Sequence, residues 1–188
     1  IRIIVPLSAA AMIMTWLPSY TDANDRDVRA TVINPNSCTI DQSTPNVGKP
    51  GQSDGYIGTP YPGDGQINRS FVAFCPLPLN NIELGGTAND NDMSSFSVLY
   101  RDFDGLGERA GLAVAFHRNT VNAQGDLVSL FVCMWESNRN GSTIANFSWK
   151  RAAVPCTVDL SAVDTYHFTI TMQANPDAPA FAAAFGGI

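Results

Sequence analysis

Lysine is nearly missing from this chain, which has only Lys49 and Lys150 among 188 residues. Charged side chains of every kind make up 15%, and 17 acids against 11 Lys and Arg leave a formal net charge of −6. A surface of that sign repels phosphate, which argues against nucleic acid and anionic membranes as partners. Histidine is as scarce, with His117 and His167 alone. No Gly-x-Ser-x-Gly turn is present to carry an activated serine, so a Ser-His-Asp set has no support in the sequence. The 3.6-residue apolar period of a packed helix is scarce along the chain, and no repeat recurs at a fixed interval.

Long apolar runs are also few. The longest, "IIVPLSAAAMIMTWLP" at residues 3 to 18, follows Arg2 and is bracketed by Pro6 and Pro18. It is shorter than the roughly 20 residues of a membrane-spanning helix. A basic start, an apolar middle and small residues at Thr21 and Ala23 predict a signal peptide over residues 1–23, with 24–188 as a single domain. The alternative is a retained apolar segment whose Ile-Arg-Ile-Ile-Val start is donated as a strand to a neighbouring sheet.

Four cysteines are present, Cys38, Cys75, Cys133 and Cys156. None are spaced as in a zinc knuckle or a thioredoxin-like pair, so disulfides in an exported protein explain them better than metal or redox chemistry. Of the three possible connectivities, the sequential one is expected, Cys38 with Cys75 and Cys133 with Cys156. Buried free thiols are the alternative. The expected location is extracellular or on the cell surface, with the periplasm as a variant.

Strand signals dominate what remains. Residues 34–65 are crowded with Pro, Gly, Asn, Asp and Ser and read as one long loop, pinned through Cys38. Alternating patterns predict strands at 28–33, 70–77, 95–103, 111–119, 127–137, 142–152 and 165–174. In the third of these Phe96, Val98, Tyr100 and Asp102 share one face. Glycines in "DGLGERA" suggest a hairpin between the third and fourth strands, and Asn140-Gly141 suggests another between the fifth and sixth. The fold class expected is all-β, a two-sheet antiparallel β-sandwich or jelly roll, stapled by disulfides.

The order of "CPLPL" at a strand end, "SVLYRDFDG", "LAVAFHRNT" with a turn at Gly125, and a late "DTYHFTITMQA" resembles a broad set of uncharacterised secreted bacterial proteins. The resemblance spans about residues 65 to 188. It implies a β-sandwich and export, and it transfers no activity. The ending "FAAAFGGI" is smaller and less aromatic than that pattern.

Chemistry has few carriers. Asp102, Asp104 and Glu108 fall in one turn, and Asp-x-Asp-Gly offers oxygen ligands to calcium, although a twelve-residue helix-flanked loop is absent. Hydrated aspartates at a strand end are the plainer reading. Tyr56 and Tyr61 lie in the Gly/Pro-rich loop, where exposed rings can stack on sugars. Trp135 and Trp149 read as packing residues, and His117 and His167 as facing solvent opposite the apolar faces. Three functions follow as expectations. The first is a non-catalytic secreted or surface structural protein, a homo-oligomer built through edge strands or partnered with another surface protein. The second is a carbohydrate-binding module with a glycan partner, calcium-dependent or not. The third is a small hydrolase using Asp102 and Asp104.

Overall fold

The computed structural model describes residues 31–41, 51–53, 55–59, 70–77, 92–161, 163–175, 178 and 182–188. The expectations for residues 1–23, for most of the 28–33 strand and for Tyr61 lie outside these residues. Among the described residues there are ten strands: β1 Thr39–Ile40, β2 Gly51–Ser53, β3 Tyr56–Gly58, β4 Phe71–Pro76, β5 Asp92–Asp102, β6 Ala110–Val121, β7 Leu127–Glu136, β8 Lys150–Asp159, β9 Thr165–Ala174 and β10 Ala183–Gly187. The helical content among them is a 3₁₀ turn, Pro35–Ser37, and one four-residue helix, α1 Ser137–Asn140. The strands form two five-stranded sheets, ordered β1-β4-β9-β6-β7 and β2-β3-β10-β5-β8, with antiparallel pairing throughout. The fold is a two-sheet β-sandwich.

The alternation read from sequence is the alternation that is buried. Phe71, Ala73 and Cys75 of β4, Leu112, Val114 and Phe116 of β6, and Tyr166, Phe168, Ile170 and Met172 of β9 face inward from the first sheet. Ile57, Phe96, Val98, Tyr100, Val154 and Phe185 meet them from the second. Edge-on ring pairs join the layers, Phe96 with Phe168 at 5.1 Å and Tyr100 with Trp135 at 4.7 Å between centroids. A smaller alanine cluster, Ala110, Ala174, Ala178, Ala182 and Ala183, closes one end beneath Phe103.

Both expected disulfides form. Cys38–Cys75 ties the start of β1 to β4 within one sheet. Cys133–Cys156 joins β7 to β8, the edge strands of different sheets on the same flank. No cysteine is left free.

The connections depart from expectation. The turn at 103–109 does not close a hairpin: β5 belongs to the second sheet and β6 to the first, so the chain crosses between layers there. Glycines signal a reversal of direction without saying which sheet receives the next strand. At Asn140-Gly141 the chain forms α1, and Gly141 N donates to Ser137 O at 2.9 Å to end it. Residues 141–149 then run without regular structure, and β8 starts only at Lys150. A true hairpin joins β6 and β7, where Gly125 adopts φ +88 and Asn122 Oδ1 accepts from Gln124 N and Asp126 N. The presumed loop 34–65 supplies β1, β2 and β3, strands of two or three residues too short to show a period. Ile57 in it is fully buried. Residues 31–33 form no strand, although Ile33 is buried and exchanges two backbone hydrogen bonds with Ile188.

Candidate functional site

Inward-facing Val98, Tyr100 and Asp102 leave Leu99 and Arg101 on the outer face of the second sheet. Tyr56, next to the buried Ile57, projects to the same outer side. Across this face lies Trp149, delivered by the irregular segment before β8. A side chain at Gly186 of β10 would come within 2.9 Å of both the Trp149 ring and Leu99, so the missing Cβ is what lets the indole lie against the sheet. Trp149 remains 40% exposed and Phe147 49%. The Arg101 guanidinium carbon sits 5.4 Å from the Trp149 ring centre, 5.6 Å from Phe147 and 5.8 Å from Tyr56. Tyr56 meets Trp149 edge-on at 5.6 Å, and Phe147 stacks on Phe103 at 5.9 Å, with Arg109 over Phe103. Four rings and two arginines thus form one surface, with cation–π contacts holding it together.

Of the two loop tyrosines singled out in the sequence, Tyr56 lies in this patch. Trp149 is not a packing residue as expected, because residues 141–149 are not a strand and alternation does not govern them. Arg101 and Phe147 carried no signal in sequence, since strand and loop residues from three segments converge only after folding. Trp135 is buried as expected, its Nε1 donating to Asn140 O at 3.3 Å.

Behind the patch lies the segment's anchorage. Gly105 adopts φ +67 in the 103–109 turn, and a Cβ there would stand 3.0 Å from Ser142 O, so only glycine lets the two loops meet. Tyr100 Oη accepts from Ser142 N at 2.7 Å, and Lys150 Nζ donates to Asp102 O at 2.7 Å and Ile144 O at 2.6 Å. Asp102 is fully buried. Its Oδ2 accepts from Ser137 Oγ, which in turn accepts from Leu112 N at 2.9 Å. Burial, reinforced by the hydrogen-bonded Asp104 carboxyl, pushes Asp102 up to about 7, with Ser137 acting the other way. Oδ1 of each aspartate is enclosed without a hydrogen-bond partner. Asp104 Oδ2 accepts from Arg109 N at 2.8 Å. Calcium wants six to eight oxygens. Among the described residues no three His, Cys, Asp or Glu gather, and the positive charge at this carboxyl pair is Lys150.

His117 and His167 do lie on the outer face of the first sheet, but neither is a free solvent residue. Their rings stack at 4.9 Å and 9°, half-buried.

No protein-family profile matches the chain, and no curated protein matches its sequence. Among solved structures, the C-terminal family 22 carbohydrate-binding module of Clostridium thermocellum Xyn10B is similar over 82% of this chain and 87% of its own. The identity is 11% and the TM-score 0.38. No helix among the described residues is long and apolar enough to cross a membrane.

Proposed function

We propose that this is a non-catalytic, exported binding module that holds carbohydrate against the outer face of its second sheet. The observation that carries the reading is the exposed indole of Trp149, seated over Gly186 beside Tyr56 and around Arg101. Flat apolar faces stack on the C–H face of a pyranose, while an arginine nearby supplies hydrogen-bond donors for hydroxyls. The two disulfides support export, since such bonds persist in oxidising compartments.

The test is binding of the untagged protein to a panel of polysaccharides and to a glycan array, with and without chelator. Trp149→Ala should weaken the best ligand at least about tenfold, or about 1.4 kcal/mol, with an unchanged circular dichroism spectrum. Silence across the array, or equal affinity in the variant, would reject the reading. Insensitivity to chelator would separately reject calcium dependence at Asp102 and Asp104.

A second reading, a structural protein that self-associates, draws on β7. This long edge strand exposes Leu127 at 74%, Phe131 at 61%, Leu130 at 45% and Met134 at 46%. Uncovered apolar edges invite pairing with another chain, although a register shift opposite Phe116 and His117 blunts this one. Light scattering across a concentration series tests it. A monomer at every concentration, identical to Phe131→Lys, counts against assembly through β7.

A further inference from the structure

We propose that His117 and His167 form a binding site for a late first-row divalent metal ion, Cu²⁺, Ni²⁺ or Zn²⁺, on the outer face of the first sheet. The site is independent of the carbohydrate reading, because it lies on the other side of the sandwich from Trp149.

The argument starts from placement. The chain has two histidines, 50 positions apart by number, and folding sets them directly opposite each other on neighbouring strands, His117 of β6 against His167 of β9. Directly opposed side chains on one face of an antiparallel pair stand close enough for their tips to meet. The inward-facing neighbours Phe116 and Phe168, also paired, fix both imidazoles on the outer face. The nearly parallel rings, 4.9 Å apart, put two nitrogen ligands within a small side-chain rotation of a shared ion.

The surroundings hold the pair in place. Phe74 of β4 flanks His167 at 6.1 Å and Phe131 of β7 flanks His117 at 6.1 Å, so four rings form a row across the sheet with the histidines in the middle. Both imidazoles are half-buried in that row, which limits the rotamers open to them and holds their ring edges close together. Asn119 contacts His167 Nδ1 at 3.1 Å. The contacting atom is the amide Nδ2, which can only donate, so Asn119 orients the His167 ring as outer-sphere partners of metal-bound histidines do. Imidazole selects the late divalent ions over calcium or magnesium. The protein supplies two ligands, and water or a group from outside completes the sphere. With all four cysteines in disulfides, no thiolate competes.

The experiment uses the untagged, oxidised full chain at pH 7.5 and Cu²⁺ alone as probe, read by calorimetric titration and by electron paramagnetic resonance. One equivalent should bind with a hyperfine pattern from two imidazole nitrogens. His117→Asn and His167→Asn should each weaken binding at least tenfold, and the double variant should show neither the pattern nor the metal-dependent rise in Tm. Asn119→Ala should weaken binding less. Wild-type protein lacking the two-nitrogen signal would overturn the site regardless of how the variants fold, and so would uptake unchanged in a double variant of native circular dichroism.

Discussion

The two ends of β6 each face a buried aspartate, and they deal with its charge in opposite ways. At the far end Asp164, 3% exposed, receives Arg118 Nε at 2.7 Å and Nη2 at 2.5 Å. A side-chain hydrogen bond from Thr120 acts with Arg118 and Ser161 to hold this carboxyl below its ordinary range, against the cost of desolvation. At the near end Asp102 has hydroxyl and carboxyl neighbours, with Lys150 bonded to its backbone carbonyl, and is driven upward. One end is stabilised by an ion pair and the other by a proton, so acid and base loosen different ends of the same sandwich.

The largest expected effect lies in pH dependence. Asp102 binds its proton more tightly folded than unfolded, so its contribution is fully present below about pH 4 and is lost as pH rises through about 7. The slope is about 1.4 kcal/mol per pH unit at its steepest. The two half-buried histidines, with lowered values, tilt stability the other way on acidification. Urea melts of wild type and Asp102→Asn between pH 4 and 8 therefore isolate the aspartate by difference: the variant should gain relative to wild type as pH rises. A constant difference would mean that Asp102 does not titrate.

Ser137→Ala comes next, at about 2 to 3 kcal/mol, because it strips a buried backbone N–H of Leu112 and a carboxyl oxygen of their partner together. Glycan binding should weaken with it if residues 141–149 are released. Arg118→Met is the smaller, about 1 to 2 kcal/mol at pH 7, since Thr120 and Ser161 still serve Asp164. Its deficit should shrink as the pH falls below about 4, because a depressed carboxyl loses its folded-state advantage there. A deficit that persists undiminished in acid would make Arg118 a packing residue instead.

Most of the sandwich was legible because its central strands are long and half-buried. Alternation through β5, β6 and β9 named the inward residues, including Asp102, before any sheet was assigned. The pairing of Cys133 with Cys156 was legible as sequence proximity, whereas its role between sheets was not. β10 escaped notice because Ala183, Ala184, Gly186 and Gly187 have too little side chain to show a period. The site was half-visible: Tyr56 stood out in its loop, but its partners come from β5 and from a segment with no pattern of its own. The histidine pair depends on strand register, which is a property of two strands together and is written in neither.

The Cys133–Cys156 link gives the molecule a spine. Both layers are sewn together along one flank, while the opposite flank carries β1 and β2, of two and three residues. Like a bound book, such a body can gape only on its fore-edge, so amides of β3 and β4 should exchange with solvent deuterium before those of β7 and β8, and reduction should erase that order.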